Sequence, residues 1–361
     1  MTGKSILSIG EAMVELSPSG QDGLWRLGIA GDTLNTAWYL RRLLPADWRV
    51  AYCSRVGLGE FSQKMVDFLT AEGIDAAHVT RDGQREIALY AISLRDGERS
   101  FSYWRDTSAA RGLADDPAAL DRALDGAGIA YLSGITLAIL PPAGRARLIQ
   151  ALKTARQAGT QVVFDPNLRP RLWPDLATMR QQIQAAAAVS DLLLPSFDDE
   201  RDHFGDADPQ ATVARYLACG AGQVVVKAGG DPVVYGGCQG AGLVDGLPRE
   251  IPVDTTAAGD SFNAGYLAAR LQGQDIPAAI RSGHELGRKV IRHRGALVPR
   301  RWPPADPRRH GKRTSPPACP WGPCGRAFAQ PSPMPSAGLV AVPERTFSSI
   351  RRPVSASMLF Q

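Results

Sequence analysis

The chain has 361 residues, of which 44% are hydrophobic and 21% are charged. This composition is typical of a soluble globular protein, and the length fits one large domain or two small ones. No apolar run approaches the length of a membrane-spanning helix, and the segment before the first strand-like run is too short and too polar for a signal peptide. We therefore expect a cytoplasmic protein without a membrane partner.

The net charge of +5 does not indicate a nucleic-acid partner once its location is considered. Residues 300–361 contain ten Lys or Arg and two Asp or Glu, so residues 1–299 hold 31 basic and 34 acidic side chains. Residues 299–361 also contain 13 of the 27 prolines, a composition that buries too little apolar surface to fold. We predict a folded domain over residues 1–299 and a disordered or aberrant Pro/Arg-rich extension over residues 300–361.

Two strand-like runs begin the chain. Residues 5–9 read as a buried strand, and residues 11–16 alternate as a half-buried strand does. The tripeptide Gly3-Lys4-Ser5 resembles the end of a phosphate loop. It precedes a strand and lacks the earlier glycine of that motif, so a phosphate loop is rejected.

A glycine-led stretch follows these strands and enters a helix predicted to end near residue 44. Its residues are Gly31-Asp32-Thr33-Leu-Asn35. Gly31 permits close backbone approach, and Asp32 or Thr33 suits the helix N-cap. From the residues alone, an ordinary loop-to-helix cap and a ligand-binding loop remain equally open.

A strand over residues 50–56 leads through Gly57-Leu58-Gly59 into a second helix, an arrangement that resembles a dinucleotide site. Ser62 stands where that motif has its third glycine, and no acidic residue ends a strand about twenty residues further on. The pattern is therefore a weak signal, and a nicotinamide cofactor is not expected.

Two further strand-like runs, residues 87–94 and 100–105, flank a turn that contains Gly97. This arrangement predicts a β-hairpin. Its strands carry Tyr90, Tyr103 and Arg105. Such a run is often only a strand with one aromatic side chain inward and another at an interface.

From residue 129 onward, apolar strands alternate with helices, which predicts a parallel sheet covered on both faces. Ligands in such sheets bind beyond the carboxyl ends of the strands. The candidate residues at those ends are Asn167, Arg169, Glu200, Lys227, Gly229 and Gly230. A stiff proline-containing loop and a solvated lysine are the simpler interpretations of these positions.

The most informative stretch is Asp254-Thr-Thr-Ala257-Ala258-Gly259-Asp260-Ser-Phe-Asn-Ala-Gly265. Small residues that lead into a helix leave backbone N–H groups free to bind an anion. A carboxylate beside such a site suits a base that takes a proton from an attacking alcohol. A plain helix cap is the alternative role for Asp260.

This stretch and the Gly31–Asn35 stretch resemble the two signatures of the ribokinase-like (PfkB) sugar kinases, and the resemblance covers about residues 4–299. It implies an α/β fold with a mostly parallel sheet, helices on both faces and a small β-sheet lid formed by strands at about 11–30 and 85–106. It further implies that Asp260 is the base, that Ala257, Ala258 and Gly259 form the anion hole, and that Gly31, Asp32 and Asn35 bind sugar hydroxyls. The nucleotide side would comprise Asn167, Lys227, Gly229 and Gly230, with Glu200 near Mg²⁺. Phe197 stands where most members have Asn, which puts the metal network in doubt.

The sequence of the Gly31–Asn35 stretch resembles the matching motif of 2-keto-3-deoxygluconate kinases more than that of ribokinases. In those kinases the Tyr-x-Arg that matches Tyr103 and Arg105 holds the substrate. Tyr90 and Arg169 complete the expected substrate contacts. A buried carboxylate favours a bidentate guanidinium, which suits a sugar acid better than a neutral sugar.

We therefore expect ATP-dependent phosphorylation of the terminal hydroxyl of 2-keto-3-deoxygluconate, with Mg²⁺ and room for a monovalent cation. A neutral-sugar or nucleoside kinase and a catalytically silent sugar-acid sensor are the alternatives. Exposed edges of the lid sheet favour a homo-oligomer. If the extension replaces the C-terminus usual in the family, a residue after position 299 that contacts nucleotide, substrate or a monovalent cation would be lost.

Overall fold

The computed structural model describes residues 3–21, 23–95 and 98–298. The strands in this part of the chain are β1 (Ser5–Ile9), β2 (Met13–Pro18), β3 (Trp25–Ala30), β4 (Arg49–Val56), β5 (Asp75–Arg81), β6 (Ala88–Arg95), β7 (Glu98–Trp104), β8 (Ile129–Ser133), β9 (Gln161–Asp165), β10 (Leu192–Leu193), β11 (Gln223–Val226), β12 (Val233–Gly237) and β13 (Gly242–Val244). The helices are α1 (Asp32–Leu43), α2 (Glu60–Ala71), α3 (Pro117–Leu124), α4 (Gly134–Ile139), α5 (Pro142–Gln157), α6 (Leu176–Ala188), α7 (Phe197–Phe204), α8 (Pro209–Ala218), α9 (Ala258–Leu271) and α10 (Ile276–Val290). Short 3-10 helices cover Ala109–Gly112 and Pro170–Leu172.

A large sheet orders its strands as β13-β12-β11-β10-β9-β8-β1-β4-β5. The pairs from β11 to β5 are parallel, and β12 and β13 add an antiparallel edge. The strands are nearly continuous apolar runs because both faces are covered. Ile6 belongs to the core cluster that contains residues of α1, α9 and α10, whereas Leu7 belongs to the cluster on α5 and α6. The predicted fold class is confirmed.

A second sheet, the lid, orders its strands as β3-β2-β6-β7. The predicted hairpin is the antiparallel β6–β7 pair, in which Tyr90 faces Tyr103. The turn residues 96–97 lie outside the described part of the chain. Trp25 and Trp104 of the lid are 48% and 62% exposed. Pairing of the lid with another subunit stays a prediction.

The periodic patterns located most of the central elements but missed several at the edges. From β8 to β11, strands alternate with helices, as the sequence predicts from residue 129 onward. β5, β12, β13 and α3 were not predicted. β5 is an edge strand with no buried residue, so its sequence has no apolar run to reveal it. Among the described helices, none is long and apolar enough to cross a bilayer. The tail, residues 300–361, lies outside the described residues, so its predicted disorder and the domain boundary at 299 stay predictions.

Helix α9 is held close to α10 by two glycines that face each other. A Cβ added to Gly265 would lie 2.9 Å from the Gly283 Cα atom, and a Cβ on Gly283 would lie 2.7 Å from the Phe262 carbonyl oxygen. Neither position has room for a side chain without a shift of the backbone. Because neither glycine has a side chain, α9 packs directly against α10. This close packing determines the position of α9 and therefore of Asp260 in its first turn.

We expect Gly283→Ala to lower the free energy of unfolding by about 1–3 kcal/mol, because overpacking forces the two helices apart. Urea denaturation measures this change. Gly144→Ala is the matched control, since a Cβ there meets its nearest atoms at 3.4–3.6 Å inside α5. That control should be neutral or stabilising by up to about 1 kcal/mol, the helix propensity gained. Equal stability changes in the two variants would contradict the packing account.

Candidate functional site

Asp260 lies in the first turn of α9, at the edge of the sheet where the parallel strands end. Its Oδ2 atom accepts a hydrogen bond from the Asn35 side-chain amide at 2.8 Å. Its backbone carbonyl accepts one from the Thr36 hydroxyl at 3.2 Å. Helix α1 thus fixes both the side chain and the backbone of Asp260.

Burial, and secondarily the negative charge of Asp32, raises the pKa of Asp260 to about 8, although the Asn35 hydrogen bond opposes this shift. A carboxylate normally ionises near pH 4 and is a weak base at neutral pH. A pKa close to the working pH makes a carboxylate an effective general base. The environment of Asp260 therefore suits proton transfer better than the capping role.

The segment that leads into α9 has an unusual backbone. Ala257, the N-cap residue, has φ 60° and ψ 18° in the left-handed region. The Asp254 carboxylate accepts hydrogen bonds from the amides of Thr256 at 3.0 Å and Gly295 at 2.6 Å, which fixes the segment. The Ala258 amide donates to the Thr255 carbonyl at 3.1 Å, so this member of the predicted anion hole already has a partner.

Lys227 is 7% exposed and lies at the end of β11. Its Nζ donates to Asp165 Oδ2 at 2.9 Å and to Asn263 Oδ1 at 3.2 Å. Asn263 in turn donates to Asp165 Oδ2 at 2.6 Å. A Cβ on Gly259 would lie 3.5 Å from the lysine Nζ, so the start of α9 borders this cation. A helix N-terminus beside a fixed lysine is chemically suited to bind phosphate.

The residues predicted for the two substrates are hydrogen-bonded to each other. Asn167 is expected on the nucleotide side and Asp32 on the sugar side. The Asn167 side-chain amide donates to Asp32 Oδ2 at 2.8 Å. Asn35 Oδ1 accepts from the Gly31 amide at 3.4 Å. Gly31, Asp32, Asn35 and Asn167 therefore lie together around Asp260.

The lid contributes aromatic and charged groups. The Tyr90 hydroxyl donates to the Glu15 carboxylate, and the Tyr90 and Tyr103 rings lie 5.8 Å apart. Tyr103 is 52% exposed. Arg105 is buried and donates to the Glu11 carboxylate, so its charge is compensated inside the protein before any ligand binds. Sequence analysis did not identify Glu11 as a partner of Arg105.

Arg169 and the glycine turn after β11 lie at the outer part of this edge. The Arg169 side chain is 50% exposed, with Nη1 3.6 Å from Asp199 Oδ2. Gly229 has φ +60°, and a Cβ there would meet no atom within 4 Å. Gly230 packs under Arg249 instead. Arg169 and Gly229 thus remain accessible to a ligand.

Glu200, which the resemblance places near Mg²⁺, lies in α7 and is hydrogen-bonded to other side chains of the protein. It is fully buried, and its two oxygens accept from the Tyr216 hydroxyl at 2.9 and 3.0 Å. The Arg215 guanidinium donates to Oε2 at 2.8 Å. Burial raises the pKa of Glu200 to about 7, opposed by Arg215. Within the described ranges, no group of three or more His, Cys, Asp or Glu side chains could hold a metal ion.

The Gly57–Gly59 turn is occupied by a side chain of the protein itself. The Gly59 amide donates to Glu86 Oε1 at 2.9 Å, and the Ser62 hydroxyl donates to Oε2 at 2.8 Å. A carboxylate therefore lies at the N-terminus of α2, where a dinucleotide site would receive its phosphates. This contact supports the rejection of a nicotinamide cofactor.

Sequence reasoning assigned no role to several residues that connect the site. These residues are Glu11, Glu15, Tyr131, Asp165 and Asn263. Glu11 and Asp165 stand at the ends of buried parallel strands, the position that singled out Lys227. Applied to every strand, that signal would have found both carboxylates.

The two non-glycine residues with positive φ in the described chain are Asn167 and Ala257. Asn167 is hydrogen-bonded to Asp32, and Ala257 is the N-cap of the helix that carries Asp260. Such conformations cost free energy and cluster at functional sites.

Comparison with known proteins places these features in a family. The model for the pfkB family carbohydrate kinases matches residues 4–302. The chain belongs to this family. It is 41% identical to the 2-dehydro-3-deoxygluconokinase of Escherichia coli (strain K12) over 310 residues, which cover 84% of this chain and 99% of the relative. It is 40% identical to the enzyme of that name from Dickeya dadantii (strain 3937), over 83% of this chain and 98% of the relative.

Solved structures of pfkB proteins have the same fold. A PfkB protein from Polaromonas sp. JS666 superposes with a TM-score of 0.69 at 30% identity, over 80% of this chain and 96% of that one. A fructokinase from Xylella fastidiosa with bound ATP gives a TM-score of 0.70 at 23% identity, over 81% and 94% of the two chains. The second likeness concerns the fold alone.

We expect Asp260→Asn to become more stable relative to the wild type as the pH rises from 5 to 8. The folded-state pKa of Asp260 is about 8 against an ordinary 3.8, so the folded state binds more protons in this window and loses stability as the pH rises. The difference in unfolding free energy should grow by about 3–4 kcal/mol. Urea denaturation at both pH values measures it, with Asp121→Asn, which changes an exposed carboxylate, as the control. A constant difference for Asp260→Asn would contradict the shift.

We expect Glu200→Gln to lower the unfolding free energy by about 1–3 kcal/mol, because it replaces a buried carboxylate that accepts from Arg215 and Tyr216, while Arg215 keeps its ion pair with Asp206 at 2.7 Å. The Mg²⁺ concentration for half-maximal activity should change by less than about two-fold, since Glu200 is enclosed by Tyr216 and Arg215. Chemical denaturation and a Mg²⁺ titration measure the two effects. A large rise in the Mg²⁺ requirement at unchanged stability would instead make Glu200 a metal ligand.

Proposed function

We propose that this protein transfers the terminal phosphoryl group of ATP to the C6 hydroxyl of 2-dehydro-3-deoxygluconate, the compound also called 2-keto-3-deoxygluconate. The observation that carries the chemistry is Asp260, held by Asn35 at the N-terminus of α9 with a pKa near 8. The choice of sugar acid rests on the relatives named 2-dehydro-3-deoxygluconokinase, which align over nearly their whole length.

In this reaction Asp260 takes the proton of the sugar hydroxyl as its oxygen attacks the phosphorus, and ADP leaves. The Gly259 amide in the first turn of α9 and the Lys227 ammonium would stabilise negative charge on the transferring group. Lys227 suits this role because Asp165 and Asn263 already fix its position. Gly31, Asp32 and Asn35 would bind sugar hydroxyls, and Asn167 and Gly229 would border the nucleotide.

Mg²⁺ bound with ATP neutralises charge on the phosphates. Mg²⁺ commonly uses one or two carboxylates together with phosphate oxygens and water, so a dedicated cage is not required. Glu200 fits poorly as a direct ligand because both of its oxygens have protein partners.

One observation favours the neutral-sugar alternative. The Glu11 carboxylate compensates the Arg105 charge, so the lid presents a guanidinium without net positive charge. Arg169, 50% exposed, is the other cation assigned to the substrate carboxylate. The choice between an acid and a neutral sugar therefore depends on how these two guanidinium groups are held.

We expect a coupled ADP-release assay to give the highest kcat/KM with 2-dehydro-3-deoxygluconate, above fructose and ribose. Asp260→Asn should lower kcat by about 10²- to 10⁴-fold, the usual contribution of a general base, with sugar binding retained. Asp121→Asn is the matched surface control. A best substrate without a carboxylate would contradict the sugar-acid assignment, and sugar binding without ADP release by the wild type would favour the sensor.

A further inference from the structure

Glu11 is a buried carboxylate that the proposed reaction does not use. It follows β1, an interior strand of the large sheet, and is 2% exposed. One of its oxygens accepts from the Arg105 guanidinium and the other from the Ser108 hydroxyl. Both donors belong to the segment by which the chain leaves the lid after β7. Glu11 therefore connects the large sheet directly to the end of the lid.

The backbone of Glu11 also contacts the loop that begins α1. A Cβ added to Gly31 would collide with the Glu11 carbonyl oxygen and would lie 3.2 Å from the Ala12 Cα atom. The Asp32 carboxylate is near enough to act electrostatically on the Glu11 side chain. The groups that face Glu11 are thus Arg105 and Ser108 from the lid and Asp32 from α1. A shift of Glu11 would be transmitted to both sides of the proposed sugar site.

Burial of Glu11 is unfavourable without a partner, because a carboxylate loses its hydration inside the protein. Desolvation raises the pKa of Glu11, and Arg105 and then Ser108 oppose the rise. A neutral glutamine would avoid this cost, so the pairing of Glu11 with Arg105 requires an explanation beyond packing.

Arg105 retains hydrogen-bonding capacity after this pairing. A guanidinium has five N–H donors in a fixed fork. Glu11 accepts from Nη2, and Nε is a buried donor without a hydrogen-bond partner among the described residues, so a ligand would meet the Nη1 side of the fork. The Tyr103 ring lies 5.9 Å from the guanidinium carbon, on the lid. The Glu11 carboxylate therefore holds the guanidinium through Nη2 and leaves other N–H donors without a protein partner in the described part of the chain.

We propose that Glu11 is a positioning residue for Arg105: it fixes the guanidinium so that its remaining donors meet the carboxylate of the sugar acid. This inference rests on the proposed function. A guanidinium with a pre-set orientation loses less freedom when it binds an anion. Glu11 thus determines the affinity for the acid without contact to the phosphoryl group.

The test compares Glu11→Gln with the wild type in a steady-state kinase assay and in nucleotide binding. Gln keeps the size of the side chain but cannot accept two charge-assisted hydrogen bonds. We expect KM for 2-dehydro-3-deoxygluconate to rise about ten- to a hundred-fold, as small misplacements of substrate contacts do, with kcat within about three-fold. The dissociation constant of a non-hydrolysable ATP analogue should change less than about two-fold, because Lys227 and α9 are not altered.

Three further variants distinguish the positioning role of Glu11 from a general loss of structure. Glu11→Asp keeps the charge on a shorter side chain and should recover part of the lost affinity. Ser108→Ala keeps the Arg105 pair and releases one oxygen of Glu11, so its KM should rise by only about two- to five-fold, and it remains informative if Glu11→Gln does not fold. Glu60→Gln removes a carboxylate that is 79% exposed and paired with Lys64, and should behave as the wild type.

The outcomes separate the two proposals. If the wild type prefers fructose or ribose to the acid, the proposed function fails and the role of Glu11 fails with it. If the wild type prefers the acid and folded Glu11→Gln keeps its KM, only the positioning role is overturned. Parallel losses of sugar and nucleotide affinity in Glu11→Gln would also overturn it, since they indicate a general structural role.

Discussion

The buried ion pair between Lys227 and Asp165 is the contact on which the arrangement of the site depends. The two residues end strands β11 and β9 of one parallel sheet, and Asn263 of α9 bonds to both. A lysine buried to this degree needs a carboxylate partner, and removal of either one leaves an uncompensated charge. The pair therefore attaches the helix that carries Asp260 to the strand ends that border a phosphate site.

The proposed sugar and nucleotide sides form one hydrogen-bonded system. Asp32 and Asn167 are bonded across the site, and Asn35 bonds to Asp260. The Tyr131 hydroxyl accepts from Asn263 of α9 and lies within hydrogen-bond distance, 3.2 Å, of the Thr36 hydroxyl of α1. Asn35, Tyr131, Asn167 and Asn263 each have a hydrogen-bond partner on a different element, and these contacts specify how the elements pack.

The sequence allowed the fold to be predicted because apolar strands, helical spacing and the two glycine-containing motifs are local patterns. The partners within the site were not predictable in this way. Arg105 meets Glu11 across 94 residues of chain, and Asn167 meets Asp32 across 135. The local sequence around Glu200 does not indicate that Arg215 and Tyr216 enclose it. A motif identifies a residue type at a position, whereas its protonation and availability follow from neighbours that only the tertiary structure brings together.

The positive φ angles of Ala257 and Asn167 have a consequence for the thermodynamics of ligand binding. An isolated chain rarely adopts these conformations without glycine, so their free-energy cost is met during folding and not at the moment of association. The amides at the start of α9 and the Asn167 side chain are consequently ordered before a ligand arrives. Less conformational entropy is then lost on binding, which favours a site whose affinity depends on electrostatic fit more than on induced rearrangement.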